Sequence, residues 1–187
     1  VGPNGIKIAF THIAGTHDTS RRSRIFVMDF DGSNVVEILE AGEGLGAAIT
    51  SCCIIDTLDW SPDGSKITFS APGPNQSDIF VINSDGTGLV RVLGEGQVSR
   101  PNGIAISKDQ KTLYVVDNQP ITPVRKLWAF ALDDEGNASG KGKEFYDWGK
   151  GRGGDGMCID SEDNIYVTGG ADRAYVNQTT DNPAGVY

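Results

Sequence analysis

Short apolar runs alternate with polar, glycine-bearing turns along the whole chain. Residues 104–106 place apolar side chains on either side of a small one, residues 107–110 are polar, and residues 113–116 form a second apolar run. Alternation of this kind predicts a strand with one buried face, and the polar interval predicts a tight turn. No stretch keeps a convincing helical period, so the pattern predicts an all-β fold.

The pattern also repeats itself. GIKIAFT at residues 5–11 is echoed by GSKITFS at 64–70, and RIFVMDFDG at 24–32 is echoed by DIFVINSDG at 78–86. The unit is a short series of strands with an Asp-Gly turn inside it, and such a unit recurring at a spacing of about 40 to 55 residues is typical of β-propeller blades. A stack of meanders that closes no ring is the alternative.

Two further copies follow with more divergent sequences. In these copies the predicted strands cover residues 103–107, 112–116, 127–132, 143–148, 156–160 and 165–168, with a last strand beginning at 185–187. The first copy lacks an opening strand, the chain starts at Val1 rather than Met, and it ends inside an apolar run. We therefore expect an incomplete propeller fragment of about four blades, cut from a ring of roughly six to eight.

Charge and cysteine content narrow the function classes. The chain has 187 residues and a net charge of −9, which argues against nucleic acid and anionic membrane partners because both require a basic face. An acidic protein can still hold a divalent cation. Cys52, Cys53 and Cys158 are interpreted as unbridged thiols, since adjacent cysteines rarely bridge. The compartment stays open between periplasm, extracellular space and cytoplasm, and the oligomeric state stays open too.

Two polar residues stand out as candidate metal ligands. Asn102 and Asp155 each precede a glycine at the start of the first strand of a predicted blade. In a propeller the first strands line the central channel, so we expect equivalent positions of adjacent blades to face one axial point. An amide oxygen and a carboxylate suit a hard cation such as calcium or magnesium. The alternative is that both residues only form turns.

The remaining polar and aromatic residues receive structural interpretations. Asp117 and Asn118 end an inner strand and either reach the channel or bond between blades, and we favour the latter. Residues 149–156 are interpreted as a mobile, glycine-rich approach to Asp155. The polar loop at 16–23 either lines a ligand entrance or is simply solvated, and we favour the latter. The expected turn formers are Asp29, Asp31, Asp85 and Asp133, and the expected inter-blade packing residues are Trp60, Trp128 and Trp148.

The first part of the chain, residues 1–97, resembles TolB-like propeller repeats. The resemblance is carried by DWSPDGSKITFS at 59–70 and IFVINSDGTGLVRVL at 79–93, with an earlier copy at 6–11 and 25–39. It implies a propeller fold and says little about activity, because such repeats occur both in binding scaffolds and beside enzymes.

The second part, residues 98–187, resembles the gluconolactonase, regucalcin and senescence-marker-protein family. The matching segments are RPNGIAISKDQKTLYVVDN at 100–118, KLWAFALDDEGN at 126–137 and GGDGMCIDSEDNIYVTGG at 153–170. The resemblance implies a six-bladed propeller with a divalent cation in its channel, often calcium, held by an Asn, an Asp and an early Glu. Asn102 and Asp155 match the first two ligands, the Glu has no match, and Gly154 replaces the proline that usually precedes the Asp.

The expected function is therefore a divalent-metal-dependent hydrolase of sugar lactones or related esters, acting on a small-molecule lactone. Asn102 and Asp155 would hold the cation, expected to be Ca²⁺ with Zn²⁺ or Mg²⁺ as alternatives. Asp155 would also help to take a proton from the attacking water. The alternative is a non-catalytic, TolB-like propeller scaffold that binds a protein or a glycan.

Overall fold

The computed structural model describes residues 6–14, 22–40, 55, 57–72, 77–94, 96–119, 124–169 and 185–186. Within these ranges the regular secondary structure consists of β-strands alone, which confirms the all-β prediction. All the paired strands run antiparallel, and each sheet follows the order of the chain. The chain divides into two compact units, Val1–Glu95 and Gly96–Tyr187.

The first unit contains a three-stranded and a four-stranded sheet, in the orders β1-β2-β3 and β4-β5-β6-β7. The strands are β1 (Lys7–Ala14), β2 (Arg22–Asp29), β3 (Val36–Glu40), β4 (Leu58–Trp60), β5 (Lys66–Pro72), β6 (Ser77–Asn83) and β7 (Val90–Leu93). The register shifts at Ile25/Phe26 in one sheet and at Ile79/Phe80 in the other. The sequence repeat is thus also a repeat of backbone geometry.

One hydrophobic core joins the two sheets of this unit. Ile25 and Leu39 of the first sheet cluster with Ile67 and Phe69 of the second, and Trp60 is buried in the same cluster as predicted. This arrangement follows from the alternation along each strand, because successive side chains of a strand point to opposite faces.

The second unit also contains two sheets, in the orders β11-β10-β9-β8 and β12-β13-β14. The strands are β8 (Pro101–Ile106), β9 (Thr112–Gln119), β10 (Val124–Leu132), β11 (Ala138–Asp147), β12 (Gly154–Ile159), β13 (Ile165–Gly169) and β14 (Gly185–Val186). A second core forms between these sheets from Val116, Leu127, Trp148 and Val167, which confirms the packing role of Trp148. Trp128 is half-buried, and the Lys126 ammonium lies 5.4 Å from its ring centroid.

Several strand boundaries differ from the prediction, including the start of β12, which is Gly154 rather than residue 156 and places Asp155 within the strand. β11 begins at Ala138 rather than at residue 143, and β8 begins at Pro101 rather than at residue 103. Most of β11 is exposed, so its first half lacks the apolar alternation that marks a strand in the sequence. Asn102 consequently lies within β8 and not in a corner before it.

The turn between β4 and β5 and the turn between β8 and β9 share one hydrogen-bond pattern. Ser61 Oγ donates to Asp63 at 2.6 Å and accepts from the Lys66 amide at 2.9 Å. In the next copy Ser107 Oγ donates to Asp109 at 2.7 Å and accepts from the Thr112 amide at 2.9 Å. The serine and the aspartate therefore fix both of these turns.

The aspartates of the later turns are turn formers as predicted. Asp31 accepts from the Ser33 amide, Asp85 from the Thr87 amide and Asp133 from the Asn137 amide, at 2.7–2.9 Å. Asp29 ends β2 and accepts from Asn34 and Lys7.

Several sequence-based expectations fall on residues that are not described. Cys52, Cys53 and most of the loop at 16–23 lie outside the described ranges, whereas Cys158 is a free, exposed thiol. Within the described ranges, no helical segment has the length and apolar character that a membrane crossing requires.

Candidate functional site

Asn102 and Asp155 occupy equivalent places in two sheets. Each is the second residue of the first strand of its sheet, β8 or β12. The register of β8 against β9 shifts between Pro101 and Ile104, and that of β12 against β13 shifts between Gly154 and Met157. Both residues therefore sit in a β-bulge, a local irregularity that turns a side chain away from the regular alternation.

The two bulges touch each other through their backbones. A Cβ added to Gly103 would lie 2.7 Å from the carbonyl oxygen of Asp155 and 2.8 Å from the amide nitrogen of Met157. Only glycine permits this approach, because no real Cβ tolerates contacts that short. The structure thus brings the two predicted segments together. The Asn102 side chain is half-buried there, and Asp155 is exposed.

The end of β9 holds both bulges in place. The buried Asp117 carboxylate accepts from the Ser99 amide at 2.9 Å and from the Arg100 amide at 2.7 Å, which fixes the residues before β8. Asn118 Nδ2 donates to the Gly154 carbonyl oxygen at 2.9 Å. The predicted blade-to-blade bond is confirmed for Asn118 and wrong for Asp117, whose carboxylate bonds within its own sheet.

Close packing explains the glycines that precede Asp155. A Cβ on Gly153 would lie 2.6 Å from Asn118 Oδ1, and one on Gly154 would collide with the Val167 side chain. The same atom on Gly154 would lie 3.1 Å from the Trp148 ring. This crowding accounts for a glycine where the lactonase-like pattern has proline. Residues 151–154 are all buried, which the interpretation as a glycine-rich approach did not anticipate.

Sequence reasoning missed one residue in this segment, Arg152. Its side chain is only 4% exposed, and neither terminal guanidinium nitrogen has a hydrogen-bond partner among the described residues. An arginine within a run of glycines is predicted from the sequence to lie on the surface. The only available signal was that Arg152 comes three residues before the candidate ligand Asp155.

The donor set partly fits a hard cation. Asn102 and Asp155 offer an amide oxygen and a carboxylate from segments whose backbones touch, and both are oxygen ligands that calcium and magnesium accept. Among the described residues, no group of three or more His, Cys, Asp or Glu side chains is placed to hold a metal. The coordination shell would therefore need water and donors from outside the described ranges.

The sheets and their bulged first strands define the class of protein. Antiparallel meanders of up to four strands, repeated along the chain and packed face to face within each unit, are blades of a β-propeller. Residues 64–181 match the family model described as the SMP-30/Gluconolactonase/LRE-like region. The match covers more than half of the chain, and the chain belongs to this family.

Curated relatives include bacterial lactonases. The chain is 32% identical over 100 residues to the gluconolactonase of Zymomonas mobilis, covering 50% of this chain and 27% of that protein. It is 31% identical over 148 residues to the lactonase drp35 of Staphylococcus aureus, covering 76% of this chain and 42% of that protein. The chain therefore spans less than half the length of these relatives.

Solved structures with a similar fold include a β-propeller domain and a TolB protein. The β-propeller domain of the Trilobed protease from Pyrococcus furiosus superposes with a TM-score of 0.55 at 14% identity, covering 92% of this chain and 48% of that one. TolB from Acinetobacter baumannii gives a TM-score of 0.55 at 14% identity, covering 89% and 35%. Likeness at this level shows the fold alone. The division into TolB-like residues 1–97 and lactonase-like residues 98–187 stays a prediction.

Proposed function

We propose that this chain is part of a divalent-metal-dependent hydrolase of sugar lactones or related esters. The observation that carries the proposal is the backbone contact between the Asn102–Gly103 bulge and Asp155, within a chain of the gluconolactonase family. The relatives named as lactonases support the reaction class. The names of the same relatives support a small-molecule lactone as the substrate.

Asn102 and Asp155 would hold the cation, for which Ca²⁺ is the first candidate and Mg²⁺ or Zn²⁺ are alternatives. When bound, a divalent cation supplies Lewis-acid polarisation of a carbonyl and stabilisation of the negative charge that develops on its oxygen. The donors that the chain offers are hard oxygens, which favours calcium or magnesium over zinc.

Asp155 has a second role in this proposal. Its exposed carboxylate can take a proton from a water molecule as the water oxygen forms a bond to the lactone carbonyl carbon. The bond between that carbon and the ring oxygen then breaks, and the ring oxygen leaves as a hydroxyl group after receiving the proton. The product is a hydroxy acid, and Asp155 returns to its ionised form.

Substitution of the two ligands tests the proposal. In the full-length protein, Asp155→Ala should lower kcat/KM for gluconolactone about 10²-fold or more, because it removes both a ligand and a proton acceptor. Asn102→Ala should weaken calcium binding in a calorimetric titration. Glu162→Ala, an exposed acidic residue of the turn after β12, is the matched control and should change neither.

Turnover and calcium affinity that are unchanged in both ligand variants would overturn the assignment. Absence of both lactone turnover and cation binding in the unaltered protein would instead favour the non-catalytic scaffold that binds a protein or a glycan.

A further inference from the structure

Arg152 is a buried cation whose two terminal nitrogens are unpaired among the described residues. The side chain is 4% exposed, and its two terminal nitrogens find no hydrogen-bond acceptor among the described residues. A guanidinium carries its charge at any physiological pH, so it cannot escape burial by losing a proton. Burying a charge without a partner is costly in free energy, and a site with this property calls for an explanation.

Internal pairing does not supply that explanation. The chain has 25 acidic and 16 basic residues, and several other cations in the described ranges pair with carboxylates, as Arg24 does with Glu40 and Arg91 with Asp78. Asp117, at the end of β9, is also buried, but its two oxygens already accept hydrogen bonds from the Ser99 and Arg100 amides. Arg152 therefore remains unmatched although carboxylates are plentiful.

An unmatched acceptor lies beside the same segment. Asn118 Oδ1 is buried and has no partner among the described residues. Its orientation is set by the other atom of the amide, because Asn118 Nδ2 donates to the Gly154 carbonyl oxygen. The position that a Cβ of Gly153 would occupy is 2.6 Å from Asn118 Oδ1, so this acceptor borders the residue next to Arg152.

We propose that Arg152 binds an oxyanion, a carboxylate or phosphate group, carried by the ligand of the Asn102–Asp155 site. A planar guanidinium presents two parallel N–H groups that match such an oxyanion. Asn118 Oδ1 would accept from a hydroxyl group of the same ligand. This inference rests on the proposed function and narrows it: the preferred lactone bears an anionic group in addition to its ring.

Binding requires a local opening. The terminal nitrogens are not exposed, so neighbouring residues must move before the ligand can reach them. The turn at residues 149–151 directly precedes Arg152, and its two glycines, Gly149 with a φ of +60° and Gly151, give the backbone the freedom that such a movement needs. Trp148 is buried directly before the turn, and its fluorescence is therefore expected to change when the anion binds.

Titration with simple anions tests the site without reference to catalysis. Inorganic phosphate or acetate should raise the melting temperature and change the tryptophan fluorescence of the unaltered protein and of Lys143→Gln, which removes one positive charge from an exposed position of β11. Neither effect should occur in Arg152→Gln or Arg152→Met. In anion-free buffer Arg152→Met should melt no lower than the unaltered protein, because no internal partner is lost. A clear drop in its melting temperature, or equal anion effects in all variants, would overturn the proposal.

Kinetics then tests the substrate class and separates the two anions. Arg152→Gln should lower kcat/KM about ten- to one-hundredfold for a lactone that carries a carboxylate or for one that carries a phosphate, whichever is the natural chemistry. A neutral sugar lactone should change by less than about twofold, since it lacks the charge-assisted bond. Equal losses on neutral and charged lactones would overturn the specificity role. If the unaltered protein hydrolyses no lactone but keeps an Arg152-dependent anion response, the proposed function fails and the anion site stands.

Discussion

Single turn residues carry local strain that differs between the copies of the repeat. Gly64 has a φ of +74° in the first-to-second-strand turn of one copy, and Gln110 has a φ of +59° at the matching position of the next. A side chain in this left-handed region raises the energy of the backbone, whereas glycine accepts it freely.

Gln110→Gly should therefore stabilise the protein. The relief of strain exceeds the added freedom of the unfolded chain, so we expect a gain of up to about 1 kcal/mol in the free energy of unfolding. Urea unfolding followed by tryptophan fluorescence measures it. Asp163→Gly is the informative comparison, because Asp163 has a φ of +63° but also accepts from the Lys108 amide at 3.1 Å. A gain at residue 163 as large as that at residue 110 would contradict this account.

At the scale of the strands, the contact between β8 and β12 depends on the missing side chain of Gly103. Gly103→Ala would place a carbon 2.7 Å from the Asp155 carbonyl oxygen, and the backbone there has to move. We expect a loss of about 1–3 kcal/mol in the free energy of unfolding, together with weaker calcium binding. Urea titration and calorimetry measure the two effects.

Gly185→Ala is the control for this variant, since a Cβ at Gly185 would meet nothing within 4 Å. The control should keep both properties within error. Equal behaviour of the two variants would mean that the approach of β8 to β12 does not position the candidate ligands.

The strands could be predicted from the sequence because one face of each is buried, which produces an alternation of apolar and polar residues. The alternation at 104–106 and the run at 113–116 give β8 and β9 within a few residues, and the repeat gives the blade architecture. The first half of β11 was not predicted, because it is held in place by pairing with β10 rather than by burial of its side chains.

The candidate site could be predicted only in part from the sequence. Asn102 and Asp155 were identified by their glycine neighbours, but the bulges that contain them depend on the register of partner strands, which no local pattern reports. Arg152 was missed for a related reason: burial of a charged residue is set by tertiary packing, and sequence patterns assign such residues to the surface.

At the scale of the whole molecule, the turn carboxylates make stability depend on pH. Hydrogen bonds lower the pKa of six aspartates below the ordinary value of 3.8, namely Asp29, Asp31, Asp85, Asp109, Asp133 and Asp160. The side chain of Asn164, followed by its backbone amide, lowers the pKa of Asp160 to about 2.

The sign of the effect follows from these shifts. A folded-state pKa below the unfolded value stabilises the folded form at pH values above about 4, and this contribution is lost as the pH falls through the folded-state value. Urea midpoints should therefore be level from pH 7 to about 5 and decline between about 4 and 2. Asp160→Asn should show a shallower decline at the acid end, and midpoints that stay level down to pH 2 would contradict the prediction.

The crowding around Gly154 also restricts how this family can diversify. With Val167 and Trp148 in their present positions, residue 154 cannot become the proline that the family resemblance leads us to expect there. Even a single added carbon at residue 154 would collide with the Val167 side chain. Val167 has to be replaced by a smaller residue before Gly154 can be replaced by proline, so the two substitutions can occur in only one order. A consensus design that introduces Gly154→Pro alone would therefore destabilise this protein, even where the same proline is tolerated in a relative with a smaller residue at the place of Val167.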